Sequence, residues 1–369
     1  MEINIQEIIQ SLENWAAPAL QESYDNSGLQ IGDTQQKCKG ILVCLDFSEE
    51  VLEEAIEKNC NLIISHHPLI FKGIKSISGK NLIERCIIKA IKEDIVLYTI
   101  HTNLDSVIHG VNKEIADRLQ LKNQQILSSR NESLVKLYTY VPIANKEEVA
   151  QALFEAGAGN IGEYSECSFQ TKGIGTFKPS ENANPTIGKA SGPRENVEEV
   201  KLEVIIPFYL VNKVFAALKK SHPYEEPAYE IIALKNLQGD FGFGILGELE
   251  KEMELKDFLQ MVKKNFNLKV IKHTNSPKTP KIKTVALCGG SGAFLIETAK
   301  AQKADIYITG DLKYHDYFLA EEEIILADIG HFESEQFTIQ LICRYLQKNF
   351  SKFAIHATSI NTNPINYYI

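Results

Sequence analysis

Leu62-Ile63-Ile64-Ser65-His66-His67 decides how this 369-residue chain is read. An apolar run of strand length stops at Ser65, and two histidines follow at its carboxyl end. Neighbouring side chains on a strand point to opposite faces, so adjacent histidines converge only where the strand has ended and the backbone turns. The stretch therefore predicts a metal site at a strand's carboxyl edge.

Two further apolar runs end the same way. Ile95-Val96-Leu97-Tyr98 leads into Ile100-His101-Thr102-Asn103-Leu104-Asp105, and Ile324-Ile325-Leu326-Ala327 leads into Asp328-Ile329-Gly330-His331-Phe332-Glu333-Ser334-Glu335. A helix beginning near Gly330 puts His331 and Glu335 on one face. Three strand ends thus present His66, His67, Asp105, His331 and Glu335. Imidazole and carboxylate without thiolate suit zinc, manganese, iron or nickel better than calcium. Five such ligands exceed the three of a mononuclear catalytic zinc, so two divalent metal ions sharing a carboxylate fit better. His101, Asp311 and His315 form a second tier, able to orient ligands or move substrate protons; loop solvation is the competing reading.

Outward from these motifs the pattern is α/β. Residues 1–126 read as a helix over 3–15, a strand over 41–45, a helix over 48–58 capped by Ser48, and strands over 62–65 and 95–100 with a helix over 81–91 between them. Such alternation predicts a largely parallel sheet covered by helices, with ligand groups at the strands' carboxyl ends. Residues 282–346 repeat the rhythm, with strands over 284–288, 306–311 and 324–327. The repetition reads as a weak internal duplication with the metal site between two similar α/β halves, although two ordinary α/β units would look similar.

The middle differs. Strands over 134–141, 168–177, 200–206 and 228–234, with helices over 146–156 and 211–220, make a split βαβ plan with an extra hairpin. It reads as an inserted α+β, ferredoxin-like domain over 130–237 between core halves 1–129 and 238–369.

Composition narrows the class. At 44% hydrophobic and 24% charged residues the chain is globular, and a net charge of -9 argues against broad nucleic-acid binding. Neither a secretory leader nor a run of about 18 apolar residues is present, so no membrane span and a cytoplasmic location are expected. Seven cysteines without a close CxxC pair read as small buried residues rather than disulfides. Cys288-Gly289-Gly290-Ser291-Gly292 lacks the lysine of a P-loop and reads as a tight strand-to-helix turn. His222-Pro223-Tyr224-Glu225-Glu226-Pro227 reads as a rigid bend between prolines. His109, His273 and His356 have no partners identifiable by sequence.

Tyr24-Asp25-Asn26-Ser27-Gly28-Leu29-Gln30-Ile31-Gly32, Ser65-His66-His67-Pro68-Leu69-Ile70-Phe71, His101-Thr102-Asn103-Leu104-Asp105, Thr309-Gly310-Asp311-Leu312-Lys313-Tyr314-His315-Asp316 and Gly330-His331-Phe332-Glu333-Ser334-Glu335 carry a resemblance over nearly the whole chain. The chain resembles the Nif-three-like family, whose members often carry the label GTP cyclohydrolase 1 type 2 homologue. The resemblance implies a dinuclear site of His66, His67, Asp105, His331 and Glu335, with Glu335 bridging. It also implies a PII-like insert containing His222 to Pro227, and a homo-oligomer, a hexameric ring. No guanine-recognition pattern supports the cyclohydrolase label. The expected function is a metal-dependent hydrolase acting on a small-molecule phosphate ester or nucleotide-like substrate. The alternative is a non-catalytic metal-carrying or regulatory protein with a ligand-sensing insert.

Overall fold

Strands apolar at every position need cover on both faces, and crossover helices supply it. In the computed structural model, which describes residues 3–130, 134–236, 241–275 and 281–368, Ile41–Cys44, Leu62–Ser65 and Val96–Thr99 are buried throughout. They lie parallel, flanked by parallel Ile355–Ala357 on one side and antiparallel Gly28–Ile31 on the other. The connecting helices Glu49–Glu57 and Leu82–Lys92 start where the sequence offers caps. Ser48 Oγ accepts the Val51 N–H at 3.2 Å and Asn81 Oδ1 accepts that of Glu84 at 2.9 Å. Their apolar faces, including Val51, Leu52, Ala55, Cys86, Ile87 and Ala90, close over Leu42, Ile63 and Leu97.

The second sheet runs Lys272–His273, Ile325–Asp328, Ile306–Gly310, Lys281–Ser291, Gly242–Glu254, Lys122–Ser129. Its parallel tract is Lys281–Ser291, Ile306–Gly310 and Ile325–Asp328. Both sheets belong to one compact unit, Met1–Ser129 with Gly239–Ile369. Several of its strands escape a reading by periodicity. Lys122–Ser129 is mostly polar and only partly buried, and Gly242–Glu254 is punctuated by glycine, so neither shows the apolar run that marks a buried strand.

Arg130–Gln238 forms a separate compact unit. Its antiparallel sheet has the order Ser168–Phe177, Glu195–Pro207, Leu134–Pro142, Tyr229–Leu234, and its chain order is strand, helix, strand, strand, helix, strand. Burial alternates along Leu134–Pro142, as the two-residue period demands. Leu137, Leu202 and Val204 pack against Val149, Leu153, Val214 and Leu218 of helices Lys146–Glu155 and Val211–Ser221. The strand expected over 200–206 extends to Glu195–Pro207, because its first residues are mostly polar and form no apolar run. In the His222 to Pro227 bend, His222 Nε2 donates to the Tyr140 carbonyl at 3.0 Å and Nδ1 accepts the Tyr224 N–H at 3.1 Å. Burial lowers the His222 pKa, consistent with a neutral structural imidazole.

All seven cysteines are free. Among the described residues, no helix is long and apolar enough to cross a membrane.

Glu54 fastens the C-terminal segment to the first sheet's helical cover. Its carboxylate accepts from Lys58 Nζ at 2.7 Å, the Ser359 N–H at 2.9 Å, Ser359 Oγ at 2.7 Å and Thr358 Oγ1. Burial alone would raise its pKa, but these donors outweigh it and hold the group at about 2. A depressed carboxylate contributes stability that is complete above its ordinary pKa of 4.5 and disappears as pH falls through about 2. Glu54→Gln should therefore be less stable than wild type at pH 6 by about 1–3 kcal/mol. Denaturant titrations should show that difference shrinking as the pH is lowered; a pH-independent difference would contradict this account.

Candidate metal centre

The ladder ends at His66 and His67, where the His66 N–H is shared between the Cys44 and Leu45 carbonyls at 3.2 and 3.1 Å and the His67 N–H goes to Leu45 at 2.9 Å. Asp105 closes the helical turn Thr102–Asp105 after Val96–Thr99, and His331 and Glu335 bound the short helix His331–Glu335 after Ile325–Asp328. Gly330, at φ 92°, makes the entry into that helix possible. The carboxyl ends of strands from two different sheets thus meet.

Each imidazole is fixed through Nδ1. His66 donates to the Ile100 carbonyl at 2.8 Å, His67 pairs with Asp46 at 2.7 Å, His101 with Asp25 at 2.7 Å, and His331 with Asp311 at 2.7 Å. This leaves Nε2 as the inward-facing atom, the usual way an outer hydrogen bond orients a metal-ligating histidine. Glu335 Oε2 lies 3.0 Å from His67 Nε2 and 3.1 Å from His331 Nε2, and its Oε1 lies 3.9 Å from His66 Nε2. Asp105 Oδ1 lies 3.7 Å from His66 Nε2.

Three overlapping groups result: His66, Asp105 and Glu335; His67, His331 and Glu335; and His66, His67 and His101. Within each, the ligand atoms lie within 4.8 Å of one another, so these groups could hold a metal ion. His66 Nε2 and Asp105 Oδ1 are buried without a hydrogen-bond partner among the described residues. Two buried polar atoms facing each other beyond hydrogen-bond reach are costly unless something lies between them, and a cation satisfies both. The donor set therefore fits a divalent metal.

The electrostatics agree. Burial and the Glu335 charge raise the pKa of Asp105. Burial would raise Glu335 too, but hydrogen bonds from His331 and His67 carry it well below its ordinary value. Burial disfavours charge on His67 and His331, yet their carboxylate partners win, lifting them to about 10 and about 9. Protons held this tightly mark a pocket with a surplus of negative charge, and a metal ion competes with them for the same lone pairs.

Asp311 supports His331 from a left-handed backbone position, φ 58°, which aspartate tolerates better than most residues. His315 is exposed, its ring against Tyr314 and Phe318, and it belongs to none of the metal-capable groups among the described residues. Asp25 and Asp46 escaped the sequence reading as site residues. Asp46 stands just past Ile41–Cys44, the same strand-end position that identified the histidines, and Asp25 lies in the Tyr24 to Gly32 stretch. The Cys288 to Gly292 stretch is also corrected: Lys281–Ser291 continues as strand through most of it, bringing Gly290 against Glu335. The Gly290 N–H donates to Ser334 Oγ at 2.9 Å, and a Cβ there would overlap Glu335 Oε1.

Known proteins share this chain's full length. A GTP cyclohydrolase 1 type 2 homolog of Halalkalibacterium halodurans is 40% identical over 99% of both chains. One of Bacillus subtilis is 39% identical over 99% of both. A solved structure of a Bacillus cereus protein related to NIF3 matches with a TM-score of 0.83 at 37% identity, covering 99% of both chains. With the family model matching residues 3–364 as well, the chain belongs to the Duf34/NIF3 (NGG1p interacting factor 3) family.

Proposed function

We propose that this protein is a dinuclear metal-dependent hydrolase acting on a phosphate ester or nucleotide-like small molecule. One observation carries the reading: Glu335 belongs both to the group with His66 and Asp105 and to the group with His67 and His331. In this reading His66, His67, Asp105, His331 and Glu335 hold two cations of zinc, manganese, iron or nickel, with Glu335 between them. Such a pair, when bound, supplies Lewis acidity and a water of lowered pKa. Asp46, Asp311 and the Ile100 carbonyl keep the imidazoles aimed, while Asp105 and Glu335 balance charge. His101, its Nδ1 engaged by Asp25, turns Nε2 toward His66 and His67, where it can take or give a proton. Asp311 is occupied by His331 and acts as a positioning residue, and His315 is left to contact substrate from the surface. The name the relatives carry, GTP cyclohydrolase 1 type 2 homolog, supports a nucleotide-like substrate.

The protein reconstituted with each metal in turn should hydrolyse some member of a panel of phosphate esters and nucleotides. Asp105→Ala should abolish that turnover, since it removes a ligand carboxylate and with it the retention of the metal. Equal residual rates for the two proteins, with wild type fully loaded, would favour the non-catalytic metal-carrying or regulatory reading. The specific support for that second reading is a cavity in the Arg130–Gln238 unit.

We propose further that the two sheets of the larger unit are two similar halves of one core and that Arg130–Gln238 is a PII-like, ferredoxin-like insert, which its strand order supports. Exposed Ile74, Ile77 and Ile91, around an apolar cleft, support a homo-oligomer, which the family resemblance makes a hexamer. Sedimentation should give a hexamer for the full chain, and deletion of 130–237 across a short linker should leave a metal-binding core. A monomeric full chain, or metal-free deletions at every junction tried, would contradict these assignments.

A further inference from the structure

The Arg130–Gln238 unit contains a cavity of about 770 Å³, lined by none of the metal-centre residues. That size is ordinary for a small-molecule site. Its lining includes Glu199, only 7% exposed, whose Oε1 accepts the Tyr224 hydroxyl at 2.8 Å. The facing strand Ser168–Phe177 is bare there: Gly173 is paired with Glu199, and a Cβ on Gly175 would overlap Glu199 Oε2. Gly175 therefore makes room for a buried carboxylate beside an open volume.

The wall is aromatic. Tyr140, Phe177 and Tyr224 line the cavity, the last two with ring centroids 5.9 Å apart at 61°. The His222 to Pro227 bend holds Tyr224 in place and ties down the loop above it. The Asn184 N–H donates to Glu225 Oε1 at 2.9 Å, and Thr186 Oγ1 donates to the Pro223 carbonyl at 2.6 Å. A motif that the metal chemistry leaves unused thus builds one side of this cavity.

Charge selects the ligand. Glu199, Glu203, Glu225 and Glu226 line the cavity against Lys172 and Lys201. Lys201 is already engaged, 2.8 Å from Glu203 Oε1 and 4.0 Å above the Tyr138 ring. Glu199 has a neutral phenol for its partner, and burial together with the Glu199 charge pushes that phenol's pKa up, so it stays a donor. A buried carboxylate facing open volume without a cation is costly, and a ligand cation offsets that cost.

We propose that this cavity binds a small organic cation, a protonated amine or heterocycle on a flat apolar body. The cationic group sits on Glu199, and the apolar body lies among Tyr140, Phe177 and Tyr224, where ring faces add cation–π attraction. The inference stands on this cavity alone, whichever reading of the metal centre holds.

Calorimetric titration of the full metal-replete chain with benzylammonium, benzyl alcohol and benzoate tests it. Benzylammonium should bind at least about tenfold more tightly than either isostere, and Glu199→Gln should remove that preference without changing metal content. His67→Ala should leave benzylammonium binding intact. The assignment is overturned if benzylammonium does not bind at millimolar concentration, if benzoate or benzyl alcohol binds as well, or if the loss follows His67→Ala instead of Glu199→Gln. Should Glu199→Gln fail to fold, Phe177→Leu is the second variant: a severalfold weaker benzylammonium affinity supports the site, and an unchanged one overturns it.

Discussion

Glu335→Ala should lose bound metal by at least about tenfold, because the side chain it removes belongs to two of the metal-capable groups at once. Glu335 is 3% exposed, and one of its oxygens lies 3.0 Å from His67 Nε2 and 3.1 Å from His331 Nε2. Those two Nε2 atoms are themselves 3.3 Å apart, so without the carboxylate both imidazoles cannot stay charged. Glu335→Gln keeps the shape and removes the charge, which separates ligation from packing. Elemental analysis after dialysis reads the loss, and circular dichroism should remain that of wild type, since the apolar clusters of both sheets exclude this residue. Full metal occupancy in both variants would sink the proposed centre.

Gly290→Ala should behave like a ligand mutant although position 290 has no side chain to lose. The residue sits at φ 62°, where an alanine costs about 1–2 kcal/mol, and its Cβ would occupy the space of Glu335 Oε1. Either the strand or the carboxylate must move, and the carboxylate is the part held only by side-chain contacts. We expect metal content to fall with Gly290→Ala and to stay at the wild-type level with Gly73→Ala, where a Cβ meets nothing within 4 Å. Equal occupancy in the two variants would show that Glu335 does not depend on the bare strand beneath it.

The family relationship makes the fold that of a group. Much of it is local. Leu62–Ser65 is a strand because its residues are apolar and partly β-branched, Glu49–Glu57 begins where Ser48 caps it, and His331 and Glu335 share a helical face by spacing alone. The candidate residues themselves were legible for the same reason, as polar groups directly after apolar runs.

Other features needed the folded chain. Polar Lys122–Ser129 and glycine-rich Gly242–Glu254 become strands through pairing with each other, an interaction between segments far apart in sequence. Asp46 and Asp25 are ordinary aspartates until the fold sets them on the Nδ1 atoms of His67 and His101. Gly290 is a turn former by composition and a bare support for Glu335 by position. Sequence alone determined the buried apolar strands, the helices beside them and the residue types at their ends, because period, propensity and capping act within a few residues. Only tertiary structure decided which of those ends face one another, because the approach of Glu335 to His66 and His67 is set by the packing of two sheets, and no local interaction encodes it.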